Sequence, residues 1–436
     1  MPCSSSSGSG EEEDEGIDSY RKGGYHAVRV GDAFAGAATS RSGSSDGATS
    51  PPCGSPTTPS APCGPSPPPP PFLFSRLFRF VALKIQKSAK EFAQAALHEI
   101  EILSAIAEGD PSNSKCIARL LNHFKHAGPN GQHLCLVVEF LGDSLLRLIR
   151  YNRNKGIGLK RVKDICRSVL VGLDYIHSEL GIIHTDLKPE NVLLVATIDP
   201  AKDPVRSGFT PILERPEGSL NGGTVININE KKLKLKAMRA AAKISQRRES
   251  MGGVIEFERS LEGIDLRCKI VDFGNACWGD RQFATEIQTR QYRAPEVILG
   301  AGYSFSVDMW SFACVAFELA TGDVLFTPNH GQGFSEDEDH LAQMMELLGK
   351  MSRKIAISGT RSKDFFDRYG DLKRIRRLKF WPLDRLLADK YKFPEPDARE
   401  FADFLRPLLD FAPEKRPTAA ECLKHPWLGN SKVASK

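Results

Sequence analysis

The sequence predicts an α+β protein with two lobes, a small strand-rich lobe over residues 72–140 and a larger, mainly helical lobe over residues 141–430. In the first range, runs rich in branched and aromatic residues are interrupted by turn residues at 128–131, a pattern typical of neighbouring strands. In the second range, apolar residues recur at helical spacing. One clear case is the set Ile165, Val169, Leu173 and Ile176.

The composition is that of a soluble globular protein. The 436 residues are 41% hydrophobic and 26% charged, which is enough apolar material for a large core. The net charge of +5 is small, so neither nucleic acid nor a membrane is expected as a partner. The ten cysteines lack regular spacing, which favours reduced intracellular thiols over disulfides or zinc sites. No apolar run is long enough to span a bilayer, and no signal region is found.

Segments of biased composition flank the two lobes. Residues 1–36 are predicted to be an acidic, disordered N-terminus that ends in a short arm, and residues 431–436 a short tail. Residues 37–71 form a Ser/Pro-rich segment, which ends in five consecutive prolines. Proline cannot donate to a sheet, so this segment is expected to be unstructured, with an SH3 or WW ligand as the alternative.

Residues 184–191 read HTDLKPEN and carry the clearest chemical signal in the chain. Their pattern, H-x-D-L-K-x-x-N, resembles the catalytic loop of a protein kinase. In that role Asp186 accepts the proton of a substrate hydroxyl, Lys188 neutralises charge on the transferred phosphoryl group, and Asn191 holds Mg²⁺. Phosphoryl transfer depends on alignment and charge neutralisation, which three polar groups on one short loop can supply.

A lysine at the end of a predicted strand is the candidate for binding ATP phosphates. Residues 81–84 read VALK, and Lys84 is placed to contact the α- and β-phosphates. A helix predicted over residues 91–106 follows, and its Glu99 is the expected partner of Lys84. Glu101 is a nearby acidic alternative. Glu99 is preferred because Ile100 and Leu103 then lie beside it on the inward side of the helix.

The adenine of ATP is expected at the end of a central strand over residues 133–140. Backbone groups from Glu139 to Leu141 would bond the adenine edge, and Val138 would line the pocket behind it. An ordinary buried strand is the alternative if the rest of the pattern is disregarded.

The motif DFG begins at Asp272, whose carboxylate is predicted to bind the Mg²⁺ that bridges the ATP phosphates. Because Asp272 comes far after Asn191, residues 196–266 are predicted to be an inserted spacer. The spacer contains a basic tract over residues 231–248, for which a nuclear-localisation or anion-binding role and a solvated charge run are both open. Scaffold roles are expected for Asp308, which would bond the catalytic loop, and for an ion pair between Glu296 and Arg416.

Taken in order, the motifs VALK, HTDLKPEN, DFG and APE resemble those of the eukaryotic protein kinases. Lysine after Asp-Leu resembles the Ser/Thr-specific branch, and TRQYRAPE resembles the group that holds cyclin-dependent, MAP, GSK3, CLK and SR-protein kinases. Finer features resemble the SR-protein kinase family: VALKIQKSAKEF, DFGNACW, IQTRQYRAPEVILG, the N-terminal YRKGGYHAVRVGD and the spacer.

The resemblance implies an ATP- and Mg²⁺-dependent kinase that phosphorylates serines in Arg/Ser-rich splicing factors and so regulates mRNA splicing. It further implies a monomer found in the cytoplasm and the nucleus. Four residues correspond to the docking groove of the family and are expected to bind the arginine-rich substrate: Asp323, Asp339, Glu346 and Lys390. An acidic solvated face is the plain alternative.

Two departures from the general kinase pattern bear on activity. Thr185 replaces the usual arginine of H-R-D, so we expect an activation segment that is held without phosphorylation. No Gly-rich loop, G-x-G-x-x-G-x-V, precedes Val81, so the strand-rich lobe is expected to be truncated by two strands. The alternative function is therefore an impaired isoform that only binds Arg/Ser-rich substrates. A kinase of the same group with proline-directed substrates is a second alternative.

Overall fold

The computed structural model of the chain describes residues 20–28, 32–34, 39–41, 80–198 and 261–429. Within these ranges a small sheet and one long helix form the first lobe, and helices form most of the second. The predicted α+β, two-lobed architecture is therefore confirmed. The acidic N-terminus before residue 20, the proline tract and the basic tract over residues 231–248 lie outside the described residues.

The first lobe contains a three-stranded antiparallel sheet packed against helix α1. Its strands are β3 Val81–Ile85, β4 Leu120–Gly128 and β5 Gly131–Glu139, in the order β3-β5-β4, and α1 spans Lys90–Gly109. Residues 133–137 of the central strand are buried, and β3 pairs with them so that Lys84 lies opposite Leu136. The register thus places Lys84 on an edge strand, directly beside the central strand β5.

The N-terminal arm docks onto this sheet beside the β4–β5 turn. The backbone amide of Gly23 donates to the carbonyl of Asn130 at 3.0 Å, and the amide of Ser88 donates to Gly24 at 3.1 Å. Residues 20–28 carry no strand, so this stretch is a docked arm, as predicted.

A short antiparallel pair, β1 Asp32–Phe34 and β2 Thr39–Arg41, follows the arm. The prediction that residues 37–71 contain no strand is wrong for Thr39–Arg41. These three residues precede the proline tract, so each of them retains a backbone N–H and can pair locally.

Helices make up most of the second lobe, and one of the two longest is almost completely enclosed. They are α2 Leu145–Tyr151, α3 Leu159–Asp174, α4 Pro295–Leu299, α5 Ser306–Thr321, α6 Glu336–Leu348, α7 Arg353–Ala356, α8 Ser362–Phe365, α9 Leu383–Arg385, α10 Glu395–Leu408 and α11 Ala419–Leu423. A π-helical turn, Tyr175–Glu179, extends α3. Every residue of α5 after Ser306 is buried, so α5 forms the centre of this lobe. No helix in the described ranges is long and apolar enough to cross a membrane.

Two small strand pairs hold the predicted catalytic loop and the DFG segment side by side. Strand β6 Ile182–Ile183 pairs with β9 Cys277–Trp278, and β7 Val192–Leu194 pairs with β8 Cys268–Ile270. The loop 184–191 therefore leaves one pair and enters the other. Residues 271–276 do the same in the opposite direction, which brings two motifs distant in sequence into contact.

The predicted ion pair between Glu296 and Arg416 is present and fully enclosed. The Arg416 guanidinium donates in parallel to both oxygens of Glu296 at 2.6 and 2.7 Å, and the two side chains are 0% and 3% exposed. Arg416 also donates to the carbonyl oxygen of Asp410 at 2.8 Å and to that of Ser306 at 3.1 Å. It therefore ties the segment after α10 to the start of α5 and to α4.

Replacing Arg416 by methionine should leave the Glu296 carboxylate buried without its partner. Breaking a buried pair in this way costs about 3 kcal/mol, so we expect that loss in the free energy of unfolding measured in urea. Arg399→Met is a matched control, because Arg399 and its partner Glu395 are 66% and 61% exposed. The control should change stability by less than about 0.5 kcal/mol. Equal effects of the two substitutions would contradict the assigned role of Arg416.

Stability should also depend on the protonation of Glu318, a buried residue of α5. Tyr292 donates a 2.6 Å hydrogen bond to its carboxyl group. Burial raises the pKa of Glu318 from 4.5 to about 7; the Tyr292 hydrogen bond opposes this rise and the Glu190 carboxylate adds to it. Between those two values the folded protein binds a proton that the unfolded chain has released, so stability falls as pH rises through the interval.

Glu318→Gln keeps an acceptor for Tyr292 and removes the titration. We therefore expect the melting temperature of the variant, minus that of the wild-type protein, to increase between about pH 5 and about pH 8. Differential scanning fluorimetry at a series of pH values measures this difference. A difference that stays constant across the series would show that Glu318 does not titrate there.

Candidate active site

The backbone of the predicted catalytic loop is fixed by Asp308, at the start of α5. Its two carboxylate oxygens accept the amides of Thr185 at 2.9 Å and His184 at 2.8 Å, and His177 lies 2.9 Å from the second oxygen. Burial would raise the pKa of Asp308, but the contacts with His177 and His184 hold it below its ordinary value. The charged carboxylate can thus hold Thr185 in its left-handed conformation, at φ 68°.

The loop brings Asp186, Lys188 and Asn191 together. Lys188 Nζ lies 2.8 Å from Asp186 Oδ2. The Asn191 amide donates through Nδ2 to the Asp186 carbonyl at 2.8 Å and to Oδ2 at 3.3 Å. The carboxylate of Asp186 is therefore held in one orientation by groups of its own loop.

Thr289 completes this cluster, although the sequence analysis assigned it no role. Its hydroxyl lies 2.6 Å from Asp186 Oδ1 and accepts from Lys188 at 3.0 Å, while its amide donates to Oδ1 at 3.1 Å. Its position at the start of the motif TRQYRAPE is the sequence feature that could have indicated this role. Thr289 links the activation segment to the residue predicted to accept the proton.

Lys84 contacts both Glu99 and Asp272 across the gap between the lobes. Its ammonium lies 2.7 Å from Glu99 Oε1 and 3.0 Å from Asp272 Oδ1. Burial would lower the pKa of Lys84, but the two carboxylates raise it above its ordinary value. The alternative partner, Glu101, is exposed. The structure thus brings three predicted residues together and places Glu99, rather than Glu101, beside Lys84.

The two predicted metal ligands are joined through their backbones, because the amide of Val271 donates to the carbonyl of Asn191 at 2.9 Å. Asp272 has a left-handed φ of 62°, and burial and Lys84 act in opposite directions on its pKa, which is lowered overall. Asn191 donates through Nδ2, which leaves its Oδ1 for a cation. A carboxylate and an amide oxygen suit Mg²⁺, which usually takes one or two protein ligands and completes its shell with phosphate and water. These residues therefore fit the ion.

The predicted adenine-binding segment follows directly from β5. The Glu139 amide donates to the carbonyl of Arg119 at 3.0 Å, and the Gly142 amide donates to Leu194 at 2.7 Å. Leu141 is buried. The carboxylate of Glu139 points into the protein and lies 2.6 Å from Lys269. The side chain and the amide of Glu139 are therefore already bonded within the protein, which leaves its backbone carbonyl as the candidate for adenine binding. The contact with Lys269 could not be found from the sequence.

Neutral hydrogen bonds help to hold the activation segment, beside the ion pair of Arg290 with Asp337. The hydroxyl of Thr185 donates to the carbonyl of Asn275 at 2.8 Å. Gln288, which is buried and has a φ of 67°, donates to Ser311 Oγ at 2.8 Å and accepts from the amide of Ala294 at 2.9 Å. None of these contacts requires a phosphate group. Gln288 is a second residue that sequence reasoning missed, since an isolated glutamine carries no motif.

Two of the four predicted docking residues, Asp339 and Glu346, lie on α6. Asp339 and Glu346 are two turns apart on this helix and therefore share a face. Asp339 accepts the amide of Asn329 at 2.9 Å, and Glu346 accepts that of Lys379 at 2.8 Å. Asp323 lies 3.4 Å from Lys390. Docking itself stays a prediction.

Part of the acidic run at the start of α6 is already occupied within the chain. Asp337 bonds Arg290 and Arg361, and Glu338 bonds Arg374. These two carboxylates are therefore less available to an arginine-rich partner than Asp339.

A comparison with protein families matches residues 77–202 and 261–428 to the family described as Protein kinase domain. The two matched ranges contain every residue placed in the site above. The gap between them falls inside residues 196–266, where the spacer is predicted.

Individual relatives are similar along most of the chain. The serine/threonine-protein kinase SRPK of Physarum polycephalum is 38% identical, covering 96% of this chain and 92% of that protein. Protein kinase dsk1 of Schizosaccharomyces pombe is 38% identical, covering 80% of this chain and 76% of the relative. Human SRSF protein kinase 3 is 33% identical, with coverages of 97% and 91%.

The family match includes both lobes, and the relatives are named as kinases of one kind. Their similarity extends over the catalytic loop, the DFG segment and the lysine of β3. The chain therefore belongs to the protein kinase family, in the serine/threonine-specific branch of the SR-protein kinases.

Proposed function

We propose that this kinase transfers the γ-phosphoryl group of ATP to serines in Arg/Ser-rich splicing factors and thereby regulates mRNA splicing. The observation that carries the phosphoryl transfer is the arrangement around Asp186, whose carboxylate is oriented by Lys188, Asn191 and Thr289. A substrate hydroxyl that reaches this carboxylate meets a base whose position is already fixed.

Each of the site residues has a different role in the proposed reaction. Asp186 accepts the proton of the attacking serine hydroxyl, and Lys188, 2.8 Å away, stabilises negative charge that develops beside it. Lys84 holds phosphate oxygens and is itself oriented by Glu99. Asn191 and Asp272 would hold Mg²⁺, which would supply charge neutralisation on the phosphates.

The substrate class rests on the acidic face of α6 and on the relatives. Guanidinium groups pair with carboxylates through two parallel hydrogen bonds, so Asp339 and Glu346 suit an arginine-rich peptide. One set of relatives carries the name SRSF protein kinase 3. With this substrate class we propose a monomeric enzyme that works in the cytoplasm and the nucleus.

A second candidate function is binding without catalysis. The sequence before Val81 contains no G-x-G-x-x-G-x-V motif, so backbone amides that cover the ATP phosphates in other kinases are not supplied by that motif. The docking residues lie in the other lobe and do not depend on it. A chain that binds Arg/Ser-rich proteins and transfers phosphate poorly would have these properties.

Replacement of Asp186 by alanine separates the two functions. If the chain is a kinase, transfer of radiolabelled phosphate from ATP to an Arg-Ser peptide should fall at least about 100-fold, because the positioned base is lost. Asp403→Ala is the control, since Asp403 is an exposed residue of α10 that bonds Arg406. Equal rates for wild-type protein and Asp186→Ala, with peptide binding retained in both, would favour the non-catalytic function.

Charge reversal at the docking face tests the substrate class. The double change Asp339→Lys and Glu346→Lys should raise the KM for an Arg-Ser peptide by about tenfold or more, with a smaller change in kcat, because two attractive charges become repulsive. The effect should weaken at high salt. Lysines introduced at Asp403 and Asp389 serve as the matched control. If the KM for the Arg-Ser peptide is indifferent to the reversal, a proline-directed substrate becomes the better assignment.

A further inference from the structure

A buried polar cluster lies behind the hinge, outside the set of residues that contact the reacting groups. It joins Lys269 of β8, Glu139 at the end of β5 and Asn113 in the loop between α1 and β4. Lys269 Nζ lies 2.6 Å from Glu139 Oε1 and 2.9 Å from Asn113 Oδ1, and Asn113 Nδ2 donates to Glu139 Oε2 at 3.4 Å. Lys269 and Glu139 are 8% and 6% exposed. Each of the three side chains thus contacts the other two; Lys269 and Glu139 are buried, and Asn113 is partly exposed.

The α1–β4 loop, which carries Asn113, is held by hydrogen bonds of its own and by a bond to β8. In the α1–β4 loop, the Asp110 carboxylate accepts the amides of Ser114 at 3.0 Å and Lys115 at 2.8 Å. Asn113 has a left-handed φ of 56°, a conformation that asparagine adopts more readily than most residues. The loop is then joined to β8, because the amide of Ile270 donates to the carbonyl of Cys116 at 2.9 Å.

The cluster lies close in sequence to the segments at both ends of the candidate nucleotide site. Glu139 begins the hinge segment 139–142, whose backbone is the candidate for binding adenine. Lys269 lies three residues before Asp272, the candidate ligand of the Mg²⁺ on the phosphates. One buried ion pair therefore spans the two segments that hold opposite ends of ATP.

A buried ion pair adds little net stability compared with apolar residues of the same volume, but it tolerates only a narrow range of geometries. The Glu139 carboxylate also accepts the amide of Arg119 at 2.8 Å, so its direction is fixed from two sides. Such contacts can fix the distance between the hinge segment 139–142 and the segment that carries Asp272.

We propose that Lys269 is a positioning residue for the nucleotide site: through Glu139 and Asn113 it fixes the hinge backbone relative to Asp272. The adenine and the phosphates are then held at one separation, and the two lobes cannot shift independently at the hinge. This inference rests on the proposed function for its nucleotide, but not for its protein substrate.

The first test needs no nucleotide. Hydrogen–deuterium exchange of the hinge segment 139–142 is measured in the full chain for wild-type protein, Lys269→Met and Lys269→Arg. We expect exchange in Lys269→Met to be faster by about tenfold or more, because Glu139 loses its charged partner. Lys269→Arg should restore most of the protection.

Lys115→Met is the matched control. Lys115 belongs to the same α1–β4 loop and pairs with Glu179 at 2.6 Å, but the two side chains are 35% and 51% exposed. Hydrogen–deuterium exchange of segment 139–142 in Lys115→Met should equal that in the wild-type protein. If Lys269→Met does not fold, the variant Asn113→Ala is used in its place. Asn113→Ala keeps the ion pair between Lys269 and Glu139 and removes only the neutral side chain that contacts both. We expect a smaller acceleration in the same segment, and unchanged exchange there would overturn the proposal.

The second test measures nucleotide binding directly, with a fluorescent ADP analogue and Mg²⁺, alongside the KM for ATP and kcat. The Kd and KM of Lys269→Met should both rise about tenfold, with kcat at saturating ATP changed by less than about threefold. A lower melting temperature with unchanged Kd would show a merely structural role and overturn the proposal. If the wild-type protein transfers no phosphate while hinge exchange and Kd respond as expected, the proposed function fails and this inference stands.

Discussion

The arrangement of the active site depends on one buried carboxylate, Asp308. It accepts two successive backbone amides of the catalytic loop, at His184 and Thr185, from the first turn of the helix at the centre of the second lobe. Because α5 is enclosed almost completely, Asp308 cannot move without disturbing the core. The loop that carries Asp186, Lys188 and Asn191 is thus bonded to a helix that is buried along almost its whole length. A catalytic group held in this way needs no reorganisation when substrate arrives.

The same principle recurs wherever two distant segments must meet. Arg416 with Glu296 and Lys269 with Glu139 each join elements that are far apart in the chain, at separations of 120 and 130 residues. In a low-dielectric interior such pairs are sensitive to geometry, since an unpaired buried charge is costly. Apolar packing provides most of the stability, while these pairs define where the active-site segments lie relative to the core.

Residues that belong to a local motif could be predicted from the sequence, because the neighbouring residues of the motif indicate their role. This holds for the catalytic loop, Asp272 and the lysine of β3, and helical spacing was enough to select Glu99. Thr289, Gln288 and Lys269 could not be found in this way, since their importance comes from partners more than twenty residues away. The short strand Thr39–Arg41 was missed because the composition of the whole segment outweighed three residues that can pair locally.

The absence of a Gly-rich motif before Val81 affects only one side of the nucleotide site. Lys84 contacts both Glu99 and Asp272 without it, and Asp186 is oriented by residues of the second lobe alone. What the motif would add is a set of backbone amides over the phosphates and the exclusion of water above them. The side chains of Lys84 and Asp272 are 43% and 45% exposed, which agrees with a site open on that side. Under the proposed function, the absence of the motif would therefore affect the binding of ATP, because the contacts that orient Asp186 do not involve that motif.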